Sequence, residues 1–222
     1  MVSILSTSSQ TDAMSWLHGL AGLFSPDEID VIARACKLAE PLYRGQTELT
    51  GTPLIQHALG SASILIGMNM DYETIAATIL HAVPEYLDDW SEKLQADFGV
   101  PVMTLVEGIS RLEQIKQFRE LRSTDKKIDN NQQIDVLRKM LLAMVSDIRV
   151  VLIKLAERTQ TLRCLSGARP DEQKLIAQET QSLFAPLANR LGVWQIKWEL
   201  EDLSVRYLDP ALYKQVARLL DE

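Results

Sequence analysis

The sequence predicts an all-α fold, a compact bundle of about ten helices, and three observations carry that prediction. Apolar residues recur every three or four positions along most of the chain, the spacing that gives a helix one buried face. Helix-start signals stand at the heads of these runs: Ser25 before Asp27 and Glu28, Asp71 before Thr74, and Pro53, Pro101, Pro186 and Pro210 in first-turn positions. A β-branched stretch that could pass for a strand, Val150-Val151-Leu152-Ile153, continues at helical spacing through Leu155, Ala156, Thr159 and Leu162.

Composition narrows the class. With 222 residues and 46% hydrophobic content the chain fills one core. A net charge of −7 argues against direct nucleic-acid binding, which needs a basic field. No apolar run approaches the ~20 residues needed to cross a bilayer, so no membrane role is expected and the chain reads as soluble and cytoplasmic. Cys36 and Cys164 fit no metal or redox spacing and read as free thiols.

Taken in order, Met1 to about Ala13 is a Ser/Thr-rich tail, and Trp16 and Leu17 begin a short helix. From Ser25 a helix runs through Ile29, Ile32, Ala33 and Cys36 towards Tyr43. A polar turn from Gly45 to Gly51 leads to Pro53, which opens a helix whose Leu54, Ala58, Ala62, Leu65 and Ile66 face inward, with His57 at the edge of that stripe. Asp71 to Thr74 caps the next helix, where Ile75, Ile79 and Val83 form a buried stripe and His81 and Glu85, four apart, share a second face. Two side chains at that spacing can converge on one ligand or metal. Pro84 removes an N–H and clashes with the preceding turn, so it is expected to kink or end the helix where Glu85 is aimed.

Further along, Asp88 to Phe98 forms a short helix ended by Gly99, and Pro101 starts another with Val102, Leu105, Val106 and Ile109. From Arg111 to Asp129 the chain turns polar with a basic excess; Leu112, Ile115, Phe118 and Leu121 could extend the helix a few turns, and the remainder reads as a mobile loop. Ile134, Leu137, Leu141, Met144 and Val145 mark a further helix, followed by the one that carries Glu157, Arg158 and Thr161. Pro170 to Phe184 is amphipathic, Pro186 starts the next helix, and Leu212, Val216, Leu219 and Leu220 mark the last. Trp194, Trp198 and Leu203 suggest a docking surface, although aromatics at such spacing are more often core.

Several stretches together carry a resemblance: Gly51-Thr52-Pro53-Leu54-Ile55-Gln56-His57, Ile79-Leu80-His81-Ala82-Val83-Pro84-Glu85-Tyr86, Lys139 to Met144, Asp147 to Val150, Ile153-Lys154-Leu155-Ala156-Glu157-Arg158, Ala185 to Gly192 and Lys197 to Leu203. From about Leu42 to Leu208 the chain resembles the HD-type hydrolase domain of the RelA/SpoT family of (p)ppGpp synthetase/hydrolases. The resemblance implies an HD-domain-like bundle that, in active members, removes the 3′-pyrophosphate of (p)ppGpp with a manganese ion.

The family's metal ligands, a histidine, a His-Asp pair and a distant aspartate, fall here on His57, on His81 and Ala82, and on Glu157. The adjacent acidic residues that help activate water fall on Glu85 and Tyr86. Of the nucleotide contacts, an arginine near the base falls on Glu48 and an asparagine on Thr161, while Arg158 is kept. A hard divalent ion wants carboxylate and imidazole ligands, and Ala82 offers neither. Loss of such a ligand costs at least about 10–100-fold, and loss of an acid–base group a further ~10²–10⁴ in rate.

The resemblance therefore implies a degenerate domain, with no competent catalytic residue and no cofactor, as in the RelA-type branch of GTP pyrophosphokinases. It implies a tail and short helix over 1–24, the hydrolase-like domain over 25–200 and a helical connector over 201–222 towards a synthetase domain of the same full-length chain. That synthetase domain is the partner implied, with guanine nucleotides as candidate ligands. The alternative is a weak Mn2+-dependent pyrophosphohydrolase that uses His57, His81 and Glu157 as ligands and Glu85 as base.

Overall fold

Every regular element in the computed structural model, which describes residues 13–122 and 147–220, is a helix. Helix α1 (Ala13–His18) docks through Trp16, whose Nε1 donates to Ser63 Oγ at 2.8 Å. Helix α2 (Pro26–Tyr43) begins as expected: Ser25 Oγ accepts from the Glu28 N–H, and the Glu28 carboxylate accepts from the Ser25 N–H. Its buried residues Ile32, Ala35, Cys36, Ala39 and Tyr43 form one stripe at helical spacing.

Helix α3 (Leu54–Gly67) is central rather than amphipathic. Residues His57 to Leu65 are all buried, so His57 sits inside the core and not at the edge of a stripe. The reason lies in its neighbours: α3 packs on α4 (Tyr72–Ile79), which also lies on α2, and on the later helix α6 (Ile148–Cys164), so that little of its circumference is left to solvent.

Helix α4 is capped by Asp71, whose Oδ1 accepts from the Thr74 N–H at 2.8 Å and the Thr74 hydroxyl at 2.9 Å. It stops at Ile79, two residues before His81, and Val83–Glu85 forms a 3₁₀ turn. The expectation that His81 and Glu85 share one helical face is therefore corrected. Pro84 has no N–H to give to the Leu80 carbonyl, which accepts instead from Val83 at 3.0 Å, and the chain tightens out of the α conformation.

Helix α5 (Trp90–Arg122) is two helices joined across a kink at Gly99, whose φ of 83° and ψ of 171° are open to glycine, with Pro101 opening the second part. The polar stretch from Arg111 is helical as far as Arg122, the few further turns that the series from Leu112 to Leu121 could support. Leu112 is buried there and Arg111 pairs with Glu107 one turn back, so a mostly polar run still has a face to bury and a side-chain ladder to support it. The expected loop beyond Arg122 and the stripe Ile134, Leu137, Leu141, Met144 and Val145 lie outside the described residues.

Helix α6 takes in Val150 to Ile153, so helical periodicity decides over β-branching. Helix α7 (Pro170–Glu179) passes through a π turn, Thr180–Phe184, into α8 (Ala185–Arg190). Pro186 cannot donate to the turn before it, and Ala185 donates to the Thr180 carbonyl five residues back, which turns Phe184 towards α6. Helix α9 (Trp194–Leu208) packs on α6, α7 and α8 through Ile196, Leu200 and Ser204 and runs unbroken through residue 201. Trp194 and Trp198 lie on its other side, 52% and 63% exposed, so these aromatics are surface and not core. Helix α10 (Pro210–Leu220) follows, with Leu212, Val216 and Leu219 exposed. No described helix is long and apolar enough to cross a membrane.

Candidate functional site

A cleft of about 810 Å³ opens where the 44–53 loop, the start of α3, the turn after α4, α5, α6 and the π turn meet. Glu48, His57, His81, Ala82, Glu85, Tyr86, Glu157, Arg158 and Thr161, each singled out from sequence, all line it. Packing of α3 against α6 brings His57 and Glu157 together, and the end of α4 adds His81 and Ala82.

The histidines are close, with ring centroids 6.1 Å apart. Burial, helped by the neighbouring His81, pushes the His57 imidazole down to about 3, so it is neutral at physiological pH. His57 Nδ1 is buried with no hydrogen-bond partner, and so is Glu157 Oε1. His81 Nδ1 lies 2.9 Å from the Thr78 carbonyl, which can only accept, so Nδ1 is the donor of that bond.

Glu157 does not face the histidines unaccompanied. Lys154, one turn earlier, donates to Glu157 Oε2 at 2.6 Å and to Glu113 Oε2 at 3.0 Å. Burial alone would push the Glu157 carboxyl up, but the Lys154 ammonium beside it, with His81 nearby, holds it below the usual range. Burial would likewise lower Lys154, and Glu157 and Glu113 hold it up instead. Burial raises Glu48, with Glu157 and Glu85 adding to the effect.

Two of the candidate nucleotide contacts are turned inward. Arg158 pairs with Glu179 at 2.7 Å and stacks over Phe184, 4.2 Å from the ring centroid. The Thr161 hydroxyl donates back to the Glu157 carbonyl of its own helix at 3.0 Å. Glu85 is exposed at the rim, where Tyr86 is partly buried.

Two participants were not legible as site residues. Lys154 stood in a quoted motif three residues before Glu157, a spacing that pairs side chains on one helix face, so a local signal existed. Tyr43 had none. Its buried hydroxyl accepts from the Ala82 N–H at 3.1 Å and donates to the Ile79 carbonyl at 3.0 Å, clamping the His81-Ala82 turn from α2.

A manganese ion would find the orphaned Glu157 Oε1 and His57 Nδ1, but little else fits. Ala82 supplies no donor, a lysine ammonium already holds Glu157, and no group of three His, Cys, Asp or Glu among the described residues is close enough to hold a metal. The residues present do not fit the ion.

The model of the HD domain family matches residues 35–194, a range that contains every cleft residue named above. The chain belongs to the HD domain family. It is 43% identical over 187 residues to the guanosine-3′,5′-bis(diphosphate) 3′-pyrophosphohydrolase of Vibrio cholerae, a match covering 84% of this chain and 25% of that protein. It is 42% identical over 194 residues to the bifunctional (p)ppGpp synthase/hydrolase SpoT of Escherichia coli, covering 87% and 26%. Its HD domain is of the RelA/SpoT type. The GTP pyrophosphokinase of Streptomyces coelicolor is 39% identical over 191 residues, covering 86% and 21%. The chain thus spans about a quarter of the length of these curated relatives.

Proposed function

We propose that this HD domain serves (p)ppGpp metabolism as a catalytically silent regulatory or structural unit beside a GTP pyrophosphokinase domain of the same full-length chain, in the cytoplasm and within the stringent response. The observation that carries this reading is Ala82, a methyl group on the turn where an HD site needs a carboxylate, inside a cleft that keeps His57, His81, Glu85 and Arg158. Tyr86 at the rim, in place of a second acidic residue, supports it. The names of the relatives support the metabolic setting and include both hydrolase and synthetase activities.

One observation favours the second reading, a weak Mn2+-dependent hydrolase. Glu157 Oε1 and His57 Nδ1 are buried, unpartnered and line the cleft, as two ligands of an ion would. The two readings part in one assay, pyrophosphate release from ppGpp by the unmodified chain at saturating MnCl2 beside the Ala82→Asp/Tyr86→Asp variant. The silent reading expects no turnover from the unmodified chain; turnover there would replace it with the hydrolase reading. Turnover gained by the double variant would show that the scaffold is intact and only the chemistry is missing.

A further inference from the structure

Charge in the cleft is lopsided. Its lining carries five glutamates against one lysine and one arginine, and both of those cations are engaged: Lys154 donates to Glu157 and Glu113, and Arg158 pairs with Glu179. Glu48, from the 44–53 loop, and Glu85, from the turn after α4, line the same cleft and pair with no cation among the described residues. Burial pushes the Glu48 carboxyl up, and Glu157 and Glu85 add to the push, as carboxylates that share one negative field do. A ligand rich in phosphate would bring more charge of the same sign into that field.

A second, independent observation concerns hydrogen bonds. Glu157 and His57 line the cleft, are 6% and 3% exposed, and each carries a buried side-chain atom with no partner, Oε1 and Nδ1. An ionised carboxylate oxygen can only accept, and a neutral imidazole offers one lone pair. What Glu157 Oε1 lacks is therefore an N–H or O–H donor, and leaving such an acceptor unmet is costly. A phosphate oxygen cannot donate; an ammonium group carries several N–H bonds. The remaining wall is apolar, with Leu54, Ala82, Pro84, Ile109 and Phe184, and suits methylene groups.

We propose that the cleft binds a small aliphatic amine cation, a di- or polyamine. Its ammonium N–H groups donate to Glu157 Oε1 and to the His57 imidazole, its charge is set against Glu48 and Glu85, and its methylenes lie along the apolar wall. Lys154 does not satisfy the cleft in its place, because one ammonium shared by two carboxylates leaves Glu157 Oε1, Glu48 and Glu85 unmet. The proposal goes beyond the silent-domain reading and is measured apart from turnover.

The test is calorimetric titration of putrescine and of spermidine, each as the chloride, into the 222-residue chain in metal-free buffer at about 0.15 M salt, where contacts between exposed charges are largely screened. Saturable binding of one amine per chain is expected. Glu48→Gln/Glu85→Gln should weaken it roughly tenfold or more. Asp27→Asn/Asp202→Asn removes the same charge from exposed positions outside the cleft and should leave the affinity within about twofold. Absence of saturable binding, or equal weakening by the two double variants, would overturn the proposal, since the latter would mean attraction to the overall negative charge of the chain.

Methyl NMR of the unmodified chain supplies a readout that needs no variant. The Ala82 and Leu54 methyl signals should shift with the amine, while those of exposed Leu212 on α10 stay in place. Shifts at Leu212 and none at Ala82 would place the amine elsewhere and overturn the proposal. Hydrolysis of ppGpp by the unmodified chain would end the silent reading alone, and failure of amine binding would remove this proposal alone.

Discussion

At the scale of single residues, burial sets reactivity and close approach sets tolerance. Cys36 lies in the core of α2, and burial, reinforced by Glu40, pushes its thiol up to about 12. A thiol reagent at neutral pH should leave Cys36 unmodified in the folded chain and label it once denaturant is added, as mass spectrometry of the labelled peptide would show. Gly167 answers to contact. A Cβ there would stand 2.3 Å from the Thr50 carbonyl oxygen, in the loop that carries Glu48, and a backbone atom cannot step aside as a flexible side chain can. Gly167→Ala should cost about 1–3 kcal/mol, measured by urea unfolding. None of this could be read locally: Gly167 and Thr50 are far apart in the chain, and nothing near either names the other.

Among the elements, Arg149 has the widest reach. From the first turn of α6 its guanidinium binds Asp147, the cap of that helix, and Asp71 and Glu73 at the start of α4. The two helices that bring Glu157 and His81 to the cleft are thus tied at their heads. All four side chains keep some solvent contact, so Arg149→Met should cost about 1–2 kcal/mol rather than the price of a buried charge, seen as a Tm lower by a few degrees and narrowing in high salt. The same clasp fixes an acid limit. Its hydrogen bonds to Asp147 hold that carboxyl below its ordinary value, and for Asp71 the bonds from Thr74 and Arg149 outweigh the upward push of burial. A depressed folded value means stability that is fully present above the ordinary aspartate pKa of about 3.9 and lost as pH falls below it through the folded values. The unfolding midpoint should therefore drop below about pH 4 in the unmodified chain and drop less steeply in Arg149→Met. Helix boundaries at this scale were largely legible, because caps and prolines act within one turn; the early end of α4 was signalled by Pro84, yet how far back its effect reached took the geometry to decide.

Across the whole molecule, the helices turn their apolar faces to one core around α3, and what they leave outside is as informative as what they bury. Trp194 and Trp198 on α9 are exposed, while Trp16 is buried and bonded to Ser63. Replacing both exposed indoles by phenylalanine should remove most of the acrylamide-quenchable fluorescence and leave the melting temperature within about 2 °C, since surface changes away from packed contacts are nearly neutral. A large loss of stability would instead place the pair within the packing of the chain. The sequence by itself determined that the chain is all-α, where most helices begin, and through its motifs which residues belong to an HD cleft, because periodicity, capping and motif spacing are written in neighbouring positions. Only the tertiary structure decided that His57 is buried in a central helix, that Lys154 holds Glu157 against Glu113, and that Tyr43 clamps the Ala82 turn. Those facts depend on contacts across 39 to 41 positions of chain, or on helix faces whose burial is set by their neighbours, and no local pattern encodes which distant side chain will arrive.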